Sequence, residues 1–314
     1  MRILVTGANG FIGRHTVAEA AAAGHDVLPL GAPREHGSSG SAEQQSRIPP
    51  CHVDIQDTVR RLHGVDAVIH LAGNSPRFGL VPPTPLQLFR SNAELTAVFL
   101  EACAQAGVPR FVLASTSAVY AGSPGGPLKE SQPLDGRTPY AASKIAAEAM
   151  VRAYTAQGAL RGISLRLFNV YGPGQCAQNV CATIALQALG KGPVRVHDDR
   201  PVRDFIYVAD VARALVAAAT RDEVPDEAVN IGSGQGTSIR ALAGCILRAA
   251  GRADSPIAGN RSASASDAVV ADIGLATRML EWRPTTSLVH GIDATLNALR
   301  GEGGALQGPT RSAR

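Results

Sequence analysis

The chain has 314 residues with 30 Lys+Arg against 26 Asp+Glu, a formal charge of +4 at pH 7, 45% hydrophobic and 4% aromatic residues. That length holds two modest domains or one large α/β unit with a lobe attached, and it buries a core without disulfide staples. Scattered basic residues and few aromatics exclude the stripe or stacking platform of a nucleic-acid binder; no apolar run approaches the ~18–20 residues of a membrane helix, and no secretory leader is expected.

Short Val/Ile/Leu-rich runs alternate with helical patterns through the first half, the order of βαβ units and a doubly wound parallel sheet. Strands are expected near Ile3–Thr6, Val27–Leu30, Cys51–Val53, Ala67–Leu71, Phe111–Ser115 and Ser164–Leu167, with helices between them. Gly31–Pro50, rich in Gly, Ser, Pro and Gln, reads as a mobile loop. Gly73–Pro85 carries Pro76, Pro82, Pro83 and Pro85 and reads as a second irregular loop, at the carboxyl end of the sheet where open α/β folds bind ligands. Leu88, Asn92, Leu95, Phe99 and Ala102 form one buried stripe of a helix between Pro85 and the stop signal Gly107-Val108-Pro109. Asn92 must find hydrogen-bond partners there. After about Asn169 the alternation loosens, with punctuation at Gly172-Pro173-Gly174, Gly190–Pro193 and Asp198–Pro201. Helical patterns return at Val208–Thr220 and Ser238–Ala250, and the glycine-rich tail from Gly301 reads as disordered. The five cysteines, Cys51, Cys103, Cys176, Cys181 and Cys245, are irregularly spaced without a Cys-x-x-Cys pair, which predicts reduced thiols in a cytoplasm and no metal site.

The sharpest motif is Thr6-Gly7-Ala8-Asn9-Gly10-Phe11-Ile12-Gly13, after the first strand and opening a helical pattern. Backbone N–H groups and the positive end of a helix dipole meet a pyrophosphate there, and side chains at the glycines would block it. The residue ending the second strand selects the cofactor: an acid accepts bonds from the ribose hydroxyls of NAD, whereas a small residue with a nearby arginine admits the 2′-phosphate of NADP. Gly31 occupies that place and Arg34 follows, which leans to NADP(H); Arg34 is otherwise one more solvated side chain. Asp54 either receives an adenine amino group or caps a helix starting near Asp57. Tyr140 and Lys144, after Pro139, share one helix face one turn apart. A phenol of pKa ~10 becomes a base at pH 7 only if ~4 kcal/mol of preference for the phenolate is supplied, and a neighbouring ammonium contributes to that. Ser115, Thr116 and Ser117 place three hydroxyls at the end of the fifth expected strand, where one donates to an oxygen gaining charge during hydride transfer.

With these motifs stand His70-Leu71-Ala72-Gly73, Asp54-Ile55, Arg166 to Gly174, Arg203 to Val208, Asn230-Ile231-Gly232 and Leu280 to Pro284. Together they resemble, over nearly the whole chain, the extended short-chain dehydrogenase/reductases, in particular the NAD-dependent epimerase/dehydratase family acting on nucleotide-diphosphate sugars. The resemblance implies a Rossmann domain over residues 1–168 with a returning segment at about 205–235, and a smaller mixed α/β substrate lobe from 169–204 and 236–300. It implies a catalytic set of Thr116, Tyr140 and Lys144, with Lys144 also holding the nicotinamide ribose. Cofactor contacts fall on Gly7, Asn9, Gly10, Phe11, Ile12, Gly13, Arg34, Asp54, Ile55, Leu71, Ala72 and Gly73. Ser117, Asn169 and Arg203 face the sugar nucleotide, Arg203 pairing with its diphosphate unless Asp204 takes it in an ion pair. Arg261 is the nearest candidate for a second phosphate-binding arginine, although Ser262-Ala263-Ser264-Ala265-Ser266 departs from the family pattern.

Ser117 and Ala118 stand where sugar 4,6-dehydratases carry Asp-Glu, which disfavours dehydration. What is left is hydride exchange at a carbinol or ketone carbon, C4 by preference. The reading leans to a 4-ketoreductase through Gly31 and Arg34; an NAD-retaining 4-epimerase is the alternative. A non-catalytic NAD(P) sensor is expected to lose the Tyr/Lys pair, which is intact. A homodimer is expected through the helix after Asn92 and the helix carrying Tyr140, where Ala146, Ala147, Ala149, Ala153 and Ala156 permit close approach.

Overall fold

The structure is a computed structural model that describes residues 1–31, 54–76, 82–122, 125–222, 228–259 and 268–306. The expected strand at Cys51–Val53, together with Arg34 and Arg261, lies outside those residues. The first half runs β1 (Arg2–Thr6), α1 (Phe11–Ala22), β2 (Asp26–Leu30), α2 (Ile55–Arg61), β3 (Ala67–His70), α3 (Pro85–Phe89), α4 (Leu95–Ala106), β4 (Arg110–Thr116), α5 (Pro139–Ala156) and β5 (Arg161–Leu167). The second half adds β6 (Asn169–Tyr171), α6 (Val180–Leu189), β7 (Val194–Val196), β8 (Val202–Tyr207), α7 (Val208–Thr220), β9 (Ala228–Ile231), β10 (Gly236–Ser238), α8 (Ile239–Ala249), β11 (Ile257–Gly259), β12 (Ala268–Val269), α9 (Gly274–Met279) and α10 (Leu288–Leu306).

Continuous apolar runs such as Ile3-Leu4-Val5 and Phe111-Val112-Leu113 leave no polar face, so these strands must be covered on both sides. They form a six-stranded Rossmann-like sheet in the order β2-β1-β3-β4-β5-β9, parallel throughout. Alternate residues feed two cores. Ile3, Val5, Ile69, Val112 and Leu165 pack under α1 and α7, whereas Leu4, Val68, Phe111 and Leu113 pack under α2, α4 and α5. The chain leaves β1 toward β2 on one side and returns as β3 on the other, which opens a crevice at the carboxyl ends of β1 and β3.

The stripe predicted from Pro85 to Gly107 is buried as expected at Leu88, Asn92, Leu95, Phe99 and Ala102. The helix is not uniform, however: a π-turn at Arg90–Glu94 separates α3 from α4, and it is this wider turn that carries Asn92. Gly107, left-handed at φ 71°, ends α4. Beyond β5, β8 pairs with β6, β10 and β12, and β7 pairs with β11. A separate core there joins α6, α8 and α10 through Ile184, Leu242, Ile246, Ile292 and Leu296. The expected disordered tail from Gly301 is corrected in part: α10, anchored by buried Ile292 and Leu296, propagates through that glycine to Leu306. No helix among the described residues is long and apolar enough to cross a membrane.

One buried carboxylate fixes the second sheet. Asp204, on β8 and fully buried, accepts from Ser233 N and Ser233 Oγ (both 2.6 Å), Gly234 N (2.9 Å) and Ala271 N (3.1 Å). An amide in its place would turn N–H against N–H donors. Asp204→Asn is therefore expected to cost about 3 kcal/mol of folding stability, read as a lower urea midpoint; an unchanged midpoint would show that the four bonds contribute nothing.

Candidate active site

The turn after β1 is shaped by close backbone approach. Gly7 adopts φ 65°, and a Cβ there would lie 2.8 Å from Ala72 N; one on Gly13 would strike the Gly7 carbonyl. Gly10 is the N-cap of α1 and no side chain caps that helix, so its first-turn amides face the crevice as an anion cradle, with Phe11 and Ile12 opening the helix. The cradle fits the pyrophosphate of a dinucleotide. Gly31, at the end of β2, has its own reason to be glycine: a Cβ there would lie 2.8 Å from the Asn9 side chain. Asp54 Oδ1 accepts from Asp57 N at 2.9 Å and caps α2, with Ile55 as its first residue.

Across the crevice, Thr6 Oγ1 accepts from Leu71 N (3.2 Å) and Ala72 N (3.1 Å). Its own proton then goes to His70 Nδ1, 2.9 Å away, so neutral His70 carries hydrogen on Nε2, and its ring packs against Phe99 and Phe111. Burial, aided by the charge of Lys144, takes the pKa of His70 down to about 3. Asn92 finds the partners its burial demands. It accepts from Asn74 N (2.9 Å) and donates to Asn74 O and Ser143 Oγ (both 3.0 Å), and Ser143 Oγ donates to Tyr140 O at 2.8 Å. A Cβ on Gly73 would lie 2.5 Å from Asn92 Oδ1. The π-turn thus latches the loop after β3 to the first turn of α5.

Tyr140 and Lys144 both lie on the inner face of α5. Lys144 Nζ donates to Ala114 O at 2.9 Å, and burial pulls its pKa down to about 8 against the opposing charge of Glu148. The Thr116 hydroxyl draws the pKa of Tyr140 down, but burial outweighs it and holds the phenol above its ordinary value. The expected depression by Lys144 is not present in the chain alone, because the ammonium proton is directed at the end of β4. Thr116 Oγ1 also accepts from Ala118 N at 3.2 Å, capping the turn Ser117–Val119.

Next to this group lies a cavity of about 380 Å³ lined by Thr116, Ser117, Asn169 and Arg203 with apolar walls at Leu128, Phe168 and Val269. Arg203 Nη1 donates to Val202 O at 2.9 Å. The Arg203–Asp204 ion pair does not form, since alternate residues of β8 point to opposite sides: Arg203 lines the cavity while Asp204 faces inward.

Beneath the site lies a polar network that the motifs alone did not reveal. Glu148, one turn after Lys144, forms a buried salt bridge with Arg166 at 2.8 Å and accepts from Ser115 Oγ at 2.5 Å. Arg166 also donates to Tyr120 OH and Glu130 O, both at 3.1 Å, and Tyr120 donates to Asn230 Oδ1 at 2.5 Å. The legible signal was an acid continuing the Tyr140–Lys144 spacing in an alanine-rich helix.

With that geometry in view, residues 3–232 match the model of the NAD dependent epimerase/dehydratase family. The chain belongs to this family. It is an NAD-dependent enzyme of the extended short-chain dehydrogenase/reductase type. This family member is 31% identical to the UDP-glucose 4-epimerase of Azospirillum brasilense, over 93% of this chain and 89% of that one. Among solved structures it is similar to MoeE5 in complex with UDP-glucose and NAD, with TM-score 0.81, 30% identity and coverage of 96% of this chain and 99% of that one. It is likewise similar to the UDP-glucose 4-epimerase of Thermus thermophilus in complex with NAD, with TM-score 0.78, 31% identity and coverage of 96% and 99%. Both neighbours hold NAD, so the lean to NADP(H) finds no support, and Gly31 is accounted for by its contact with Asn9.

Removing the latch tests its worth. Asn92→Ala strands two partly buried backbone groups of Asn74 and removes a donor to the Ser143 hydroxyl, an expected loss of about 2 kcal/mol in urea unfolding; a variant as stable as the parent would show that the loop after β3 does not depend on it.

Proposed function

We propose that the protein is a nucleotide-sugar 4-epimerase that keeps NAD bound and inverts C4 of a UDP-hexose. The observation that carries this reading is that Tyr140 and Thr116 come together beside a cavity whose polar lining includes Ser117, Asn169 and Arg203. The 4-epimerase relatives favour it over the 4-ketoreductase, whose basis in Gly31 and Arg34 has lost its force. The intact Tyr140–Lys144 pair argues against a cofactor sensor.

NAD, when bound, supplies a nicotinamide carbon that takes a hydride and returns it. The amides of Gly7–Gly13 hold the pyrophosphate with the N-terminus of α1, and Leu71, Ala72 and Gly73 form the opposite wall. Lys144 holds the ribose. Arg203 clamps the substrate diphosphate with its planar fork, and Asn169 contacts the sugar nucleotide. Tyr140 takes the C4 hydroxyl proton and later gives it back, while Thr116 and Ser117 donate hydroxyls toward the same oxygen. Inversion requires the keto-sugar to present its other face, and the apolar walls at Leu128, Phe168 and Val269 offer few hydrogen bonds that would hold one orientation.

On this reading residues 169–204 and 236–300 form the substrate lobe over a dinucleotide domain of 1–168 and 205–235. A homodimer through α4, the helix after Asn92, and α5 belongs to the same proposal, and Leu86 and Phe89, 56% and 52% exposed on the adjoining α3, would extend that face. Phe89→Glu should then halve the mass seen in sedimentation, and an unaffected mass would remove that surface from the interface.

The decisive experiment denatures the purified protein, identifies the released dinucleotide, and measures interconversion of UDP-glucose and UDP-galactose. NAD release with turnover is expected. Tyr140→Phe should retain NAD yet lose at least about 100-fold in turnover. An empty protein that oxidises NADPH with a keto-sugar nucleotide would replace this reading by the reductase.

A further inference from the structure

We propose that Glu148 is a positioning residue: its carboxylate, clamped by Ser115 and Arg166, holds the proton on buried Lys144 and so keeps the lysine of the Tyr140–Lys144 pair in its charged form. The inference rests on the role given above to that pair. Tyr140, Lys144 and Glu148 are spaced four apart and share one face of α5. Lys144 is 8% and Glu148 1% exposed, so water does little for either charge. The hydrogen-bond acceptor of Lys144 Nζ is a neutral carbonyl, Ala114 O.

The groups around the ammonium leave few sources of compensation. From β3 comes His70, neutral throughout the working range because burial takes its pKa to about 3. From β4 come the Ser115 and Thr116 hydroxyls, and from the π-turn the Asn92 amide. On α5 itself Tyr140 is an uncharged phenol, its pKa raised by burial. From β5 comes Arg166, the cation paired with Glu148. Glu148 is the anion of this set, and its charge is what opposes the loss of the lysine proton on burial.

Glu148 is fixed with unusual completeness for one side chain. Oε1 accepts from Ser115 Oγ at 2.5 Å and Arg166 Nε at 3.1 Å, and Oε2 accepts from Arg166 Nη2 at 2.8 Å. Arg166 spends its remaining donors elsewhere, Nη1 reaching Tyr120 OH and Glu130 O at 3.1 Å with the guanidinium 5.0 Å from the Tyr120 ring centroid. A pair serving packing alone could be exchanged for neutral groups of similar volume without consequence for its neighbours. A pair that sets the charge of Lys144 could not.

The chain makes the test direct, since it contains three lysines, Lys129, Lys144 and Lys191. Lysine-selective ¹³Cε labelling of the full-length protein gives three signals to follow against pH, with Lys144→Arg assigning its own. The variants are Glu148→Gln, which leaves Arg166 unopposed, and Glu148→Gln with Arg166→Met, which removes both charges. The Lys144 midpoint should be highest in the parent, lower in the double variant and lowest in the single one, with ~1 pH unit between the extremes. The alkaline limb of UDP-glucose turnover should move in the same order, because deprotonation of Lys144 silences the pair. Equal midpoints in parent and folded double variant would overturn the proposal and reduce the pair to a structural role. If Glu148→Gln does not fold, the double variant, free of a stranded charge, decides alone. The lysine titration needs no substrate, so its outcome is independent of whether the epimerase assay succeeds.

Discussion

A carboxylate and a guanidinium, 2.8 Å apart and no more than 3% exposed, hold this active site together. Burying two charges is costly unless each remaining donor and acceptor is met, and around Glu148 and Arg166 they are met by groups from different parts of the chain. Ser115 belongs to the end of β4, next to Thr116. Glu148 belongs to α5, two turns after Tyr140. Arg166 belongs to β5, and Tyr120 with Asn230 extends the network to the cavity wall and to β9. The elements carrying the Thr116 and Tyr140 hydroxyls and the Lys144 ammonium are therefore tied to one buried ion pair. Apolar packing tolerates small slips that hydrogen-bond geometry does not, and a reacting centre needs the latter.

The rest of the site follows from where parallel strands end. Carboxyl ends of β1 and β3 present Gly7 and Leu71-Ala72-Gly73, and the Thr6 hydroxyl bridges them by accepting from two amides and donating to His70. Asn92 performs the equivalent task between the loop after β3 and α5. On β8 the two-residue period separates roles, so that the guanidinium of Arg203 reaches the cavity while the Asp204 carboxylate organises the loops at Ser233 and Ala271.

What the sequence made legible was what short-range pattern encodes. The strands Ile3–Thr6 and Phe111–Ser115 are unbroken apolar runs, and the helices at Val208–Thr220 and Ser238–Ala250 have a full amphipathic period, so they appear within a residue or so of their expected bounds. Strands β6, β7 and β10 to β12 have two or three residues each and exist through pairing with distant segments, which no local window contains. The π-turn escaped for the same reason: Asn92 invites partners, but Asn74 and Ser143 are named only by the fold. Gly31 misled because a glycine has two physical readings, room for a phosphate or room for a neighbouring side chain, and Asn9 supplies the second. Glu148 was visible as a residue and invisible as a function, since its worth depends on Arg166 eighteen positions away on another element.

The phenol sets the last constraint. In the chain alone burial outweighs the influence of Thr116 and holds Tyr140 above its ordinary pKa, so on the proposed reading a bound cofactor adds positive charge before the phenol acts as a base. That is useful to an enzyme on the proposed reading. A phenolate formed in the absence of substrate would be solvated and wasted, whereas one whose formation awaits a bound cofactor and sugar appears only where a proton is to be moved. Lys144, whose pKa burial takes down to about 8 against the opposing charge of Glu148, is on that reading the cation the site keeps in place, with an anion one turn farther along α5. On the proposed reading the reactivity of the tyrosine is set two turns away, at a carboxylate held by Ser115 and Arg166.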